Sequence, residues 1–181
     1  LWDDPGAQTM ATANGLTVGS YTVDVTGGGC TSAIAVTLTE PAQIVSTTTN
    51  TSPTCFGDCD GGADVSVTGG LSPFAYLWDD PSAQTNAAAN GLCDGTFKVI
   101  FTDANGCVAN AGVIITEPLV IALSTTDTNI SCAGGNDGSI DLSMTGGTPP
   151  HTYNWSNSDT TEDVSNLTFG TYEVIATDTN G

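Results

Sequence analysis

The chain has 181 residues, 39% of them hydrophobic, and it contains 20 acidic residues against a single basic one, which gives a net charge of −19. This charge excludes nucleic acids and anionic membrane surfaces as partners, because both are bound through clustered lysine and arginine. The 22 glycines and 8 prolines are typical of short strands joined by turns. No apolar run is long enough to cross a bilayer, so we expect no membrane insertion.

Internal repetition is the strongest signal in the sequence. The stretch LWDDPGAQT at 1–9 returns as LWDDPSAQT at 77–85. The tryptophans Trp2, Trp78 and Trp155 are spaced by 76 and 77 residues. Such a fixed period indicates a tandem array of one structural unit.

Two Glu-Pro pairs, at 40–41 and 117–118, mark the seams of this array, since proline cannot donate in a strand ladder and restricts the residue before it. We therefore divide the chain into the C-terminal part of one module (1–40), a complete module (41–117), and a module that lacks its last strand (118–181). In this register the residue after Gly181 is the equivalent of Cys107, so we expect the chain to be a window of a longer array.

Alternating apolar and polar residues predict strands with one buried and one wet face. This pattern runs from 63 to 68 and returns from 139 to 144. An aromatic strand ending in Trp78 comes next, then a strand from 97 to 101, and then a hairpin turn over 103–106. About seven short strands per module fit an all-β, immunoglobulin-like sandwich, with a barrel or a solenoid as the alternative. The predicted core anchors are Trp2, Trp78 and Trp155.

One aromatic position per module, occupied by Tyr21, Phe97 and Tyr172, is similar to the tyrosine corner of such sandwiches. Phe97 has no hydroxyl group to donate. We therefore expect burial of the ring to be the shared requirement, and the corner hydrogen bond to be optional.

Several motifs recur in order along the modules: C-x-G-x-x-D-G, T-G-G-x-x-P, an aromatic-x-Y-x-W strand, N-G-L-x-x-G-x-Y/F and T-D-x-N-G-C. Together they resemble the SprB-type repeat of very large surface adhesins of gliding Bacteroidetes. The resemblance implies an extracellular protein at the cell surface, exported by type IX secretion and contacting the gliding machinery. We also expect neighbouring repeats of the same chain, and surface polysaccharide, as partners. The family has no known catalytic residues.

Six cysteines beside a single histidine predict disulfides and an oxidising, extracellular compartment. In the predicted sandwich, the loop between the first two strands (the A–B loop) and the corner between the fifth and sixth strands (the E–F corner) lie at one end. Cys59 falls in the first and Cys93 in the second. The third module lacks both, having Asn136 and Thr168 instead. This joint presence and absence predicts a Cys59–Cys93 bridge.

The other four cysteines belong to the general plan of the repeat. Cys55 and Cys132 lie in A–B loops, whereas Cys30 and Cys107 lie in the turn between the last two strands (the F–G turn). A Cys55–Cys107 bond within one module would need a different fold, because these loops lie at opposite ends. We favour a staple between consecutive modules, although spacing alone does not determine the pairing.

The acidic residues Asp58, Asp60 and Asp94 are weak calcium candidates at the predicted bridged end, since oxygen ligands suit this ion. Asp60 precedes glycine, however, which is turn chemistry, and no EF-hand pattern occurs. We expect turns rather than a metal site, and no cofactor. The sequence shows no nucleophile–base pair and no phosphate-binding loop, so we expect no enzymatic activity.

These features favour a mechanical role, in which the modules form the stalk or the repetitive adhesive surface of an adhesin. The alternative is that the modules themselves bind glycans or another surface protein. The candidate site for such binding is the loop over 78–91, the longest irregular stretch, which differs from the corresponding loop of the third module.

Overall fold

The computed structural model describes all residues from 1 to 181 and contains thirteen strands and no α-helix. No helix is therefore present that is long and apolar enough to span a membrane. The strands pair only with strands of the same module, and none of the sheets closes into a barrel. The prediction of tandem all-β sandwich modules is confirmed, and the barrel alternative is wrong.

The middle module is a sandwich of two three-stranded antiparallel sheets. One sheet has the order β3–β4–β6 and the other has the order β5–β7–β8. These six strands are equivalent to strands A, B, E and C, F, G of an immunoglobulin-like fold. Their bounds are β3 (Val45–Thr51), β4 (Gly61–Thr68), β5 (Ala75–Trp78), β6 (Ala88–Leu92), β7 (Gly95–Thr102) and β8 (Val108–Ile115).

The middle module has six strands, where the sequence predicts about seven, and no strand forms in the position of strand D. Residues 79–87, between β5 and β6, instead form a turn without strand structure. Asp80 lies at the centre of this turn and accepts hydrogen bonds from its backbone. The amides of Ser82 and Gln84 are therefore bonded within the turn and do not pair with a neighbouring strand.

The core of the middle module obeys the period-two pattern of its strands. Ala63 and Val65 of β4 are buried while Asp64 between them is exposed. Across the sandwich, Trp78 and Phe101 are each only 1% exposed. Each fully buried side chain of this size contributes about 1.5–3 kcal/mol to stability relative to an exposed one. The buried cluster comprises Ala63, Val65, Trp78, Ala89, Leu92, Val99, Phe101, Val113 and Ile115.

The third module repeats this plan with the sheets β12–β10–β9 and β11–β13. Leu142 and Trp155 are central to its core. A groove of about 400 Å³ lies beside Trp155, at the position that β8 covers in the middle module. The strand bounds are β9 (Ala122–Thr128), β10 (Gly138–Thr145), β11 (Thr152–Trp155), β12 (Val164–Leu167) and β13 (Val174–Thr177).

The first module contributes one sheet, the hairpin of β1 (Gly19–Gly27) and β2 (Cys30–Leu38). Trp2 adds an isolated bridge to Val23, so it occupies the edge position that Trp78 has beside β7. No second sheet faces this hairpin within the described residues. Trp2 is therefore only half-buried, whereas Trp78 and Trp155 are fully buried anchors.

Candidate functional site

A disulfide joins the A–B loop of the middle module to its E–F corner. The structure bonds Cys59 to Cys93, which are 34 residues apart in sequence. Both residues are exposed to solvent. The bond ties β4 to the turn between β6 and β7, and so links the two sheets at this end of the sandwich.

The aromatic corner differs between modules. Tyr21 donates its hydroxyl to the carbonyl oxygen of Thr17 at 2.9 Å, and Tyr172 donates to the carbonyl oxygen of Thr168 at the same distance. In the middle module the corresponding pair is Phe97 and Cys93, which form no such bond. The corner hydrogen bond is therefore absent only from the module whose corner carries the disulfide.

The remaining four cysteines, Cys30, Cys55, Cys107 and Cys132, are free thiols. Cys55 is partly buried in the A–B loop, and the other three are exposed. The F–G turn that holds Cys107 packs on the loop between β4 and β5, because Asp103 of this turn accepts a hydrogen bond from the Leu71 amide. Cys55 and Cys107 thus lie at opposite ends of the middle module.

The calcium candidates do not form a cluster. The carboxylate of Asp60 accepts hydrogen bonds from the Thr54 amide at 2.9 Å and the Thr54 hydroxyl at 2.7 Å. These bonds, with the side-chain one dominant, lower the pKa of Asp60. Asp58 and Asp94 are exposed, and no group of three or more histidine, cysteine or acidic side chains is close enough to share a metal ion. The role that the structure gives Asp60 is to close the A–B loop.

The loop at 78–91 is built around a buried carboxylate. Asp80, only 6% exposed, accepts hydrogen bonds from the amides of Ser82 and Gln84 and from the Gln84 side chain. The Gln84 amide group in turn donates to the Asn90 carbonyl oxygen and accepts from the Asn90 backbone amide. Burial alone would raise the pKa of Asp80, but the hydrogen bonds outweigh it, so the pKa is lowered.

The first module repeats this arrangement with Asp4, Gln8 and Asn14 at matching positions. The third module has a different loop, in which Asn157 and Asp159 bond each other and Asp163 accepts from the amide of Leu142. The side chains of Asn157, Asp159 and Asp163 thus form hydrogen bonds within the third module, but with partners that differ from those in the other two modules.

The tryptophan anchors also bind these loops, which the sequence did not indicate. The indole N–H of Trp78 donates to the carbonyl oxygen of Asn86 at 2.9 Å, and that of Trp155 donates to Thr161 at 3.0 Å. Trp2 makes the same bond to Met10. A buried indole needs a hydrogen-bond partner, and here the loop carbonyl supplies it.

A second acidic turn lies at 103–106, where the sequence predicts a hairpin turn, but the hydrogen bonds of its carboxylate were not predicted. Asp103 accepts hydrogen bonds from the amides of Asn105 and Cys107 and also from Leu71, across the loop. Asp178 likewise accepts hydrogen bonds from Asn180 and Thr148, the equivalents of Asn105 and Leu71, and it also accepts one from the amide of Gly181. These backbone bonds, led by Cys107 for Asp103 and by Thr148 for Asp178, lower both pKa values.

The seam between the middle and third modules is held by contacts on both of its sides. The Glu117 carboxylate accepts a hydrogen bond from the Gly57 amide in the A–B loop at 2.7 Å. On the other side, the Gly147 amide donates to the carbonyl oxygen of Leu119 at 2.8 Å. The side-chain amide of Asn180 in the third module donates to the carbonyl oxygen of Thr54 in the middle module at 2.5 Å.

A comparison with known protein families agrees with this repeat geometry. The sequence profile of the SprB repeat matches residues 47–83 and 124–160. Each match begins inside the first strand of its module and ends in the loop after the tryptophan strand. A comparison with curated proteins gave no match. The SprB repeat thus matches one segment of the middle module and one of the third, and this repeat type is associated with cell-surface proteins.

Proposed function

We propose that this chain is part of the repetitive stalk of a large secreted cell-surface adhesin, which supports attachment to surfaces and gliding motility. The observation that carries this proposal is the internal use of the loop at 78–91. Its most buried polar groups, the carboxylate of Asp80 and the side-chain amide of Gln84, are bonded within the loop. A loop of this kind stabilises the module and offers few fixed polar groups to a ligand.

The charge and the seams support the same role. A net charge of −19 keeps neighbouring chains apart, and self-repulsion of this kind favours an extended, soluble array. The Glu-Pro seam is short and hydrogen bonded on both sides, by Glu117 and by Leu119. Such a seam transmits force from one module to the next more directly than a flexible linker does. The gliding and type IX secretion machinery would be the partners at the cell surface.

The opposing function, a glycan-binding or protein-binding module, provides the test. The 181-residue chain is applied to a glycan array with calcium and again with a chelator. For a stalk we expect no saturable, specific binding under either condition. Saturable binding that Asn90→Ala weakens would show that the loop at 78–91 is a ligand site and would overturn the stalk proposal.

A second measurement tests the mechanical role directly. Chains carrying increasing numbers of complete modules are imaged singly on a surface, and their contour and end-to-end lengths are measured. For a stalk we expect both lengths to rise by a fixed increment per module. An end-to-end length that grows only as the square root of the number of modules would indicate a flexible chain of beads instead.

A further inference from the structure

Several asparagines of the chain lie in the acceptor tripeptide Asn-x-Ser/Thr, in which x is not proline. They are Asn50, Asn129, Asn154 and Asn166. This tripeptide receives N-linked glycans in exported proteins, and it does so where it lies in an accessible surface loop. The fold of the chain therefore decides which of these asparagines can be modified.

Two of the acceptor tripeptides are part of the core of the third module. The residue after Asn154 is Trp155, which is only 3% exposed, and the residue after Asn166 is Leu167, which is only 6% exposed. Asn154 lies in β11 and Asn166 lies in β12. An enzyme could reach either asparagine only if a core side chain left its place, so neither is an acceptor in the folded module.

The Asn50 tripeptide is held inside the middle module. Asn50 lies within β3, and its side-chain amide donates a hydrogen bond to the carbonyl oxygen of Ile114 in β8. The next residue, Thr51, pairs with Gly62 in the strand ladder. The nitrogen that would receive a glycan is therefore already bonded between the two sheets.

Asn129 differs from the other three in each of these respects. It directly follows Thr128, the last residue of β9, and it is exposed to solvent. Its side chain makes no hydrogen bond in the structure, so the acceptor nitrogen is free. Ser131, the third residue of the tripeptide, is exposed as well, and its backbone amide donates to the carboxylate of Asp137 at 3.0 Å. The tripeptide thus lies in a loop outside the sheets.

The residues around Asn129 also distinguish it. The equivalent positions in the A–B loop of the middle module hold Ser52-Pro53-Thr54, which has neither the asparagine nor a permitted middle residue. Two residues before Asn129 is Asp127, an acidic side chain of the kind that bacterial oligosaccharyltransferases recognise at this position. The other three asparagines have threonine or valine there.

We propose that Asn129 is an N-glycosylation site, and that it is the acceptor tripeptide that the folded chain leaves accessible. The donor is an oligosaccharide joined to a polyprenyl lipid through pyrophosphate. The side-chain nitrogen of Asn129 bonds to the anomeric carbon of the first sugar and loses one proton. The bond from that carbon to the pyrophosphate oxygen breaks, the lipid pyrophosphate leaves, and nothing is oxidised or reduced. The modification does not depend on the proposed stalk function, because it requires only export of the chain.

The test compares the folded chain with short peptides, each of which contains one acceptor tripeptide. Chain and peptides are incubated with a lipid-linked oligosaccharide and a purified single-subunit oligosaccharyltransferase that requires only Asn-x-Ser/Thr. Mass spectrometry of the digested products gives the occupancy of each asparagine. We expect all the peptides to be modified. In the folded chain we expect a glycan on Asn129 in most molecules, and occupancy of the other asparagines to be lower by roughly ten-fold or more, since strands open only rarely.

Variants separate the role of the tripeptide from that of the fold. Ser131→Ala should abolish modification of Asn129, whereas Ser131→Thr should retain it. Leu142→Ala, which removes a core side chain packed with Trp155 and Leu167, should raise occupancy of the two core tripeptides several-fold and leave Asn129 unchanged.

The decisive measurement is made on the protein as its own cells produce it. The peptide that contains Asn129 should carry the mass of a glycan. A peptide without that mass overturns the proposal. The proposal is also wrong if Asn129 stays unmodified in the folded chain, or if the folded chain is modified equally at every acceptor tripeptide.

Discussion

In the middle module Cys93 lies four residues before Phe97. In the other two modules these positions hold a threonine and a tyrosine, and the tyrosine hydroxyl donates a hydrogen bond to the threonine carbonyl oxygen. The hydroxyl is missing where the corner is closed by the bond from Cys93 to Cys59. A disulfide and a hydrogen bond thus occupy the same corner in alternative modules. Each fastens the E–F corner, and the disulfide fastens it to the A–B loop as well.

The first prediction concerns the disulfide. Replacing Cys59→Asn and Cys93→Thr together gives the middle module the residues that the third module has at these positions. We expect the free energy of unfolding of the middle module to fall by roughly 3–4 kcal/mol, because the bond closes a 34-residue loop in the unfolded chain. Amide hydrogen exchange resolved to individual strands measures the effect on β4 and β7.

The third module is the internal control for this experiment, since it contains neither cysteine. Protection of β10 and β11 should be unchanged. Equal loss of protection in both modules would mean that the variant acts through the seam and not through the entropy of the closed loop.

The second prediction adds the missing hydroxyl. Phe97→Tyr should place an O–H group near the carbonyl oxygen of Cys93. This would reproduce the hydrogen bond that the Tyr172 hydroxyl donates to the carbonyl oxygen of Thr168. A typical net hydrogen bond contributes about 0.5–1.5 kcal/mol, so protection of β7 should rise by up to that amount. Tyr172→Phe should lower protection in the third module. A matched control is Tyr76→Phe, which removes a hydroxyl that has no partner in the structure.

The parts of this fold that could be predicted from the sequence are those set by residue type and spacing. Alternation located the buried faces of β4 and β10, and the joint absence of two cysteines from the third module pointed to the pair that the structure bonds. The expectation of about seven strands came from analogy with an immunoglobulin-like sandwich, and the segment between β5 and β6 forms no strand. In that segment the amides of Ser82 and Gln84 bond the carboxylate of Asp80 instead of a neighbouring strand.

The hydrogen bonds at the seam were beyond sequence reasoning. Glu117 is 60 residues from Gly57, and Asn180 is 126 residues from Thr54, so no local spacing relates these partners. Their meeting depends on how two sandwiches dock. The acidic turns could be located from the sequence, since T-D-x-N-G recurs in it. The hydrogen bond from each of their carboxylates to a second loop could not, because it depends on how the loops pack in the folded module.

The third prediction tests why T-G-G recurs at the end of each B strand. A Cβ atom on Gly69 would overlap the carbonyl oxygen of Gln43, and the φ of Gly69, +75°, is unfavourable for alanine. Gly69→Ala should therefore destabilise the middle module by more than about 2 kcal/mol, since the left-handed conformation alone costs about 1–2 kcal/mol. Urea unfolding of the oxidised chain measures the loss.

Gly106→Ala separates the cost of the left-handed backbone conformation from the cost of the close approach to Gln43. Gly106 has a similar φ of +83°, but nothing lies within 4 Å of its missing Cβ atom. We expect only the conformational cost at this position. If both substitutions destabilise the module equally, close approach of Gln43 is not the reason for the glycine at 69.

The fourth prediction is a pH dependence that originates at Asp80. Hydrogen bonds to its carboxylate lower the pKa of Asp80 in the folded state, against the opposing effect of burial. A group with a lowered folded pKa stabilises the protein fully above its unfolded pKa, which is about 4 for aspartate. That stabilisation is lost as the pH falls further, through the folded pKa. Asp80→Asn should therefore destabilise the middle module at neutral pH, with a difference from the parent that shrinks below about pH 4.

Asp94→Asn is the matched control, because it removes the same charge from an exposed carboxylate that accepts no hydrogen bond in the structure. Both variants relieve the general acidic repulsion equally, so their difference isolates the loop at 78–91. Urea unfolding midpoints measured for the parent and both variants across the acidic range give the comparison. A gap between Asp80→Asn and the parent that persists unchanged well below pH 4 would show that the loop is stabilised by the neutral acid. In that case the hydrogen bonds from Ser82 and Gln84 would not depend on the ionised carboxylate.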